Sequence, residues 1–121
     1  MKRVYIAGAY SGSNILECLT NIGKGEQLAT KVFLDGHAPF TPWHDKDFVM
    51  REPNYKFTVP MFYEFSIKWL EVSDCILLVK DNWKHSKGTL REIEIAKELG
   101  IPIFEDYEKF KEWSESYDNI R

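Results

Sequence analysis

Glu92 closes the segment Asn82-Trp83-Lys84-His85-Ser86-Lys87-Gly88-Thr89-Leu90-Arg91-Glu92, which leaves a short apolar run and opens an amphipathic helical periodicity. A carboxylate beside a helix N-terminus and an anion-ready loop can act as an ionised nucleophile or base. A plainer role fits the same spacing. Ser86 or Thr89 can cap the helix, and Thr89-Leu90-Arg91-Glu92 has the form of a capping box, in which Glu92 only reaches back to the backbone. The small-residue loop Gly8-Ala9-Tyr10-Ser11-Gly12-Ser13 is a second candidate. Its amides and the hydroxyls of Ser11 and Ser13 suit a phosphate or a sugar at the start of a helix. It lacks both the full glycine fingerprint of dinucleotide binders and the P-loop lysine, so any strand-to-helix turn could look the same. Trp43, His44, Tyr55 and Phe57 could fold over a flat ring. His44-Asp45-Lys46-Asp47 has metal-ligand residue types but no third strong ligand at helical spacing, and no metal site is expected.

These residues need a frame. Val4 to Gly8 reads as a strand, and Asn14 to Leu34 as a helix that Gly23 and Gly25 weaken in the middle. Asp35-Gly36 closes that helix, and His37 to Phe40 reads as a second strand. Thr41 to about Val59 reads as a long polar and aromatic loop, of a length that favours a lid or binding segment. Pro60 opens a helix to about Val72, with Met61, Phe62, Phe65, Trp69 and Leu70 so apolar that burial on two sides is expected. Cys75 to Val79 is a fully buried strand, from which Gly88-Thr89 is expected to turn the chain tightly into a helix reaching Leu99. Ile101 to Phe104 is a fourth strand, and Asp106 to about Ser116 a last amphipathic helix. Strands alternating with helices predict an α/β fold: an open parallel sheet in the order 2-1-3-4, helices on both faces, in the three-layer manner of flavodoxin and Rossmann folds. Its ligand crevice falls at the carboxyl ends of strands 1 and 3, between Gly8 to Ser13 and Asp81 to Lys87.

Composition narrows the function classes. Residues 1–121 are expected to form a single domain. With 16 basic against 19 acidic side chains the formal charge is -3, which leaves no electrostatic footprint for a nucleic acid polymer or an anionic membrane. No apolar run approaches the ~20 residues of a membrane span and no signal-type stretch precedes the first strand, so a cytoplasmic protein is expected. Cys18 and Cys75 are expected to be reduced, buried thiols. The apolar helix from Met61 to Leu70 suggests a homodimer.

Together these pieces resemble the nucleoside 2-deoxyribosyltransferase superfamily, which includes the 2'-deoxynucleoside 5'-monophosphate N-glycosidases and small phage and bacterial relatives. The resemblance runs from about Arg3 to Phe104. It rests on Val4-Tyr5-Ile6-Ala7-Gly8, Ile67-Lys68-Trp69-Leu70-Glu71-Val72-Ser73-Asp74, Trp83-x-x-Ser86-x-Gly88-Thr89-x-x-Glu92, and Ala96-x-x-x-Gly100-Ile101-Pro102. It implies that Glu92 attacks the anomeric carbon of a nucleoside or nucleoside 5'-monophosphate and expels the base. A covalent glycosyl-enzyme would result, resolved by water in an N-glycosidase or by a second base in a deoxyribosyltransferase. Tyr5 would orient Glu92, and Ser86 would contact a 5'-phosphate with help from the loop Gly8 to Ser13. Substrate contacts are expected from Gly8, Ala9, Tyr10, Ser11, Ser13, Trp43, His44, Ser66, Ser86 and Gly88, and no metal or organic cofactor is implied.

One departure bears on activity. The family usually has an aspartate where this chain has Ser66, and serine cannot act as a carboxylic acid. Glu64, Asp45 and Asp47 are the candidate replacements, while Asp74 at the strand entry is structural. Ser66 therefore keeps an alternative open: a catalytically weak or inactive nucleotide-binding or sequestering module of the same fold. A plain interaction domain is the third class.

Overall fold

The computed structural model describes residues 1–120, with side chains through Ser116. In chain order the elements are β1 (Arg3–Ala7), α1 (Ile15–Leu34), β2 (Ala38–Phe40), a 3-10 turn (Pro42–Asp45), α2 (Lys46–Arg51), α3 (Val59–Glu71), β3 (Cys75–Leu78), α4 (Lys87–Leu99), β4 (Ile103–Phe104) and α5 (Tyr107–Ile120). All strand pairs are parallel and the order is β2-β1-β3-β4. From Val4 onward in β1 and throughout β3 the two central strands are buried, because both faces are covered. On one face Val4, Ile6, Cys75 and Leu77 pack with Ala29 and Val32 of α1 and Phe110 of α5. On the other, Tyr5, Ala7, Ile76 and Leu78 meet Leu70 of α3 and Ile93 and Ala96 of α4. Period-two alternation in two strands thus produces the three-layer α/β architecture.

Asp74 fixes the register of the central pair. Its carboxylate accepts the Arg3 N–H at 2.7 Å, and its own N–H donates to the Arg3 carbonyl at 2.8 Å. Both cysteines are free thiols, Cys75 buried and Cys18 only partly so.

Three sequence expectations are corrected. The stretch from Thr41 to Val59 is not one long loop, since the 3-10 turn and α2 occupy its first half. These helices are too short to carry an amphipathic period of their own. Helix α3 is not buried on two sides: Ser66 and Leu70 are its buried residues, while Val59, Met61, Trp69 and Val72 next to it stay exposed. Its inner aromatics are satisfied locally, with Phe40 stacked on Trp69 at 5.4 Å and Phe65 against Phe40 and Phe48. The turn after β3 is not made by Gly88, which lies inside α4. Asp81, at φ 69, is the left-handed residue that turns the chain there. Aspartate tolerates that conformation better than most residues, at a cost of about 1 kcal/mol. Among the described residues no helix is long and apolar enough to cross a membrane.

Candidate active site

The loops that follow β1 and β3 meet where the sheet order reverses. Asn82, aimed by the turn at Asp81, accepts the Ala9 N–H on Oδ1 at 3.0 Å. Gly8 is tight against this junction, because a Cβ there would come within 2.7 Å of Val79 and 2.9 Å of Asn82 Oδ1. Helix α4 joins the same point. Thr89 Oγ1 lies 3.0 Å from the Gly8 carbonyl oxygen and 2.9 Å from Ser86 Oγ. A carbonyl can only accept, so Thr89 gives its proton to Gly8 and the Ser86 hydroxyl completes the pair.

Ser86 is the N-cap of α4, accepting the Thr89 N–H at 3.2 Å. Thr89 is consequently the third helical residue and not the cap, so the box that would have occupied Glu92 does not form. Glu92 lies a turn further along and lines a cavity of about 840 Å³ at the carboxyl ends of the strands. That volume is in the range of small-molecule sites. A smaller hollow of about 190 Å³ lies at the amino ends, beside Met1 and His37, away from these groups.

The carboxyl of Glu92 has an unusual environment. Tyr5 Oη, Asn82 Nδ2 and Glu92 Oε2 are buried side-chain atoms without a hydrogen-bond partner among the described residues. Glu92 as a residue is only partly buried, but this oxygen is sealed off. Burial pushes its pKa from 4.5 up to about 7, with the nearby Tyr5 hydroxyl pulling the other way. Tyr5 is driven well above its ordinary value, first by burial and then by Glu92, while Ser66 acts on it in the opposite sense. Phe40, at 5.4 Å, holds the Tyr5 ring in place. The phenol, the serine and the carboxyl therefore form one cluster drawn from β1, α3 and α4.

Other cavity-lining groups sort by chemistry. His85, Lys87 and Arg91 supply basic side chains from the head of α4, and Lys46 adds one from α2. Val49, Met50, Val59, Phe62 and Ile67 supply apolar surface. Asp45 also lines the cavity, half-buried, and burial raises its carboxyl above the usual range.

Of the sequence candidates, Gly8, Ala9, Tyr10, Ser11, Trp43, Ser66, Ser86, Gly88 and Glu92 line the cavity, and Tyr5 stands behind Glu92. Ser13 and His44 do not line it. Ser13 donates to Glu17 Oε2 at 2.6 Å, and Asn14 caps α1 by accepting the Glu17 N–H at 2.8 Å. A carboxylate thus stands at the N-terminus where a phosphate was expected. His44 contacts Thr41 and Glu26. Trp43 is 5% exposed and mostly core: its ring lies over Gly25 and its Nε1 donates to Glu26 at 2.7 Å. Tyr55 and Phe57 pack on each other, and Phe57 stacks on Phe62, outside the cavity wall. Among the proposed replacements for the missing aspartate, Glu64 and Asp47 are exposed and only Asp45 reaches the cavity. Asn82 was legible only as a loop residue. No signal in the sequence marks a side chain aimed by a left-handed neighbour.

Fold and cavity define an open, Rossmann-like α/β protein with a cavity at its topological switch point. Residues 2–105 match the family described as a domain of unknown function (DUF4406), and the chain belongs to that family. No curated protein matches the sequence. A solved structure of the 2-deoxyribosyltransferase from the psychrotolerant bacterium Bacillus psychrosaccharolyticus shares the fold, with a TM-score of 0.58 and 21% identity over 84% of this chain and 69% of that one.

Proposed function

We propose that the protein cleaves or transfers the N-glycosidic bond of a nucleoside or nucleoside 5'-monophosphate. Glu92 is the nucleophile. The observation that carries this reading is a carboxyl with one oxygen sealed off and unpaired among the described residues, beside a buried phenol at the switch-point cavity. Leaving such groups unpaired is costly to stability, and that cost is characteristic of sites kept for chemistry. A pKa of about 7 leaves about half of Glu92 ionised at neutral pH, enough to attack. Tyr5 orients the carboxylate as the ester forms on the anomeric carbon, and the departing base or its replacement passes through the same cavity. The shared fold with a 2-deoxyribosyltransferase supports the reading, as does the Ser86-to-Glu92 pattern.

A 5'-phosphate, where the substrate carries one, is received at the head of α4 by His85, Lys87, Arg91 and the free amides there. Glu17 would repel it at the head of α1. Such substrates place the reaction in the cytoplasm. Two copies of the chain associate through the apolar residues Met61, Trp69 and Val72 around α3.

The test is a panel of nucleosides and monophosphates incubated with wild type and with Glu92→Gln, following free base and intact protein mass. A glycosyl adduct on the wild type and base release abolished by Glu92→Gln are expected. Release unaffected by that substitution would sink the assignment. Ser66 favours one second reading, a binding module that sequesters its ligand. It requires ligand bound and recovered intact, so turnover excludes it.

A further inference from the structure

Expulsion of a base from C1' leaves charge on the base nitrogen, and a positioned acid is the ordinary remedy. Among the described residues, three carboxyls line the cavity: Glu17, Asp45 and Glu92. Glu92 is committed to the anomeric carbon. Glu17 is held at the first turn of α1 by the Ser13 hydroxyl at 2.6 Å, among groups that already use its charge. Ser66 and Tyr5 offer only hydroxyls, and Tyr5 is pushed further from acidity by burial and by Glu92. Asp45 is the one left.

We propose that Asp45 is the acid–base carboxyl of this site, a role that rests on the glycosyl-transfer reading above. The attacking oxygen of Glu92 forms a bond to C1' as the C1'–N bond breaks. The electron pair of that bond goes to the base nitrogen, which takes the proton of Asp45. In the second half the Asp45 carboxylate removes the proton of the water or acceptor base that attacks C1', and Glu92 departs as carboxylate. Protons and electrons balance with no further reactant.

The position of Asp45 is built. It ends the 3-10 turn Pro42–Asp45, and the residues before it are anchored to α1. Trp43 Nε1 donates to Glu26 at 2.7 Å, and Gly25 makes room for the ring, since a Cβ there would lie 2.4 Å from it. His44 meets the same Glu26 oxygen at 3.1 Å and Thr41 Oγ1 at 2.9 Å. The two aromatic side chains are thus positioning residues for Asp45. It lines the same cavity as Tyr10, Ser66 and Glu92. Burial holds its carboxyl toward the protonated form. His85, another lining side chain, is exposed and belongs with Lys87 and Arg91 in the basic cluster.

Single-turnover base release separates this role from a structural one. The probes are an ordinary purine deoxynucleoside and its N7-methylated form, whose base leaves neutral and needs no proton. Asp45→Asn should lose roughly 10²- to 10⁴-fold on the ordinary substrate but less than about tenfold on the methylated one. Asp45→Glu should recover part of the loss, and it serves as the reporter if Asp45→Asn does not fold. Equal losses on both substrates, or the leaving-group pattern appearing in His85→Gln instead, would overturn the Asp45 assignment and leave Glu92 standing. Failure of wild type to release base from either probe would overturn the glycosyl reading and this inference together.

Discussion

Thr89 Oγ1 lies 3.0 Å from the carbonyl oxygen of Gly8, joining residues 81 positions apart in sequence. The bond ties the head of α4 to the start of the loop after β1 and so fixes the turn of helix that carries Glu92. Thr89 is 1% exposed, so its hydroxyl cannot turn to water instead. Thr89→Val keeps the shape and removes the hydroxyl. It should cost about 0.5 to 1.5 kcal/mol, the net worth of one part-buried hydrogen bond. Urea unfolding measures that cost. Base release should fall as well, since Glu92 loses its fixed position, and a variant of wild-type stability would show that the junction is held by other contacts.

Asn82 performs two separable tasks. Its Oδ1 accepts the Ala9 N–H at 3.0 Å, while its Nδ2 is buried in the cavity lining without a partner. Asn82→Asp retains the acceptor and loses the donor, whereas Asn82→Ala loses both. The alanine variant should be destabilised by about 1 to 3 kcal/mol and the aspartate variant by less. Ligand affinity should fall in both, by at least about tenfold, if the amide donates to an acceptor on the ligand. Calorimetric titration with the best substrate found for Glu92→Gln measures this, and unaltered affinity in Asn82→Asp would make the residue purely a loop clasp.

The basic cluster at α4 makes a prediction about phosphate. Arg91 is exposed and lines the cavity, so its removal should leave folding intact. Arg91→Ala should raise KM for nucleoside 5'-monophosphates by roughly tenfold, the loss of one charge-assisted contact, and leave KM for nucleosides unchanged. Equal effects on both substrates would move the phosphate elsewhere.

Much of the frame was legible because it rests on simple periods. The apolar runs Val4 to Ala7 and Cys75 to Leu78 can be buried only in a parallel sheet covered on both faces, and the switch-point rule then locates the crevice. Glu92 was legible as a candidate, but not its escape from the capping box, because Ser86 and Thr89 are both good caps and only the bond to Gly8 decides between them. Gly25 shows the opposite failure. As a helix residue it reads as a weakness of about 1 kcal/mol, yet it is the seat on which Trp43 packs, a tertiary reason that no local window contains. The 3-10 turn and α2 escaped for lack of length, although Asp45 was named with Glu64 and Asp47 as a candidate acid. His44 and Ser13 carried the right chemistry for a ligand and are engaged by Glu26 and Glu17.

The titration of Glu92 links function to stability. Its pKa is raised from 4.5 to about 7, chiefly by burial, so the folded protein holds this proton where the unfolded chain has lost it. A raised carboxyl favours the folded state fully below the unfolded value, and that advantage is lost as pH climbs through the folded one. From about pH 4.5 to 7 the wild type should therefore lose stability, by an amount on the order of 3 kcal/mol. Glu92→Gln has no such proton to lose. Its melting temperature should match the wild type near pH 4.5, exceed it increasingly as pH rises, and hold a constant lead above pH 7. On the N7-methylated substrate, which needs no proton from Asp45, base release runs the other way, rising in the wild type as Glu92 ionises with a midpoint near pH 7 and absent in the variant. Melting curves at several pH values, set against the pH–rate profile, test both halves at once. A gap in melting temperature that does not open with pH would mean that the carboxyl is ordinarily solvated, and the case for a buried nucleophile would fall with it.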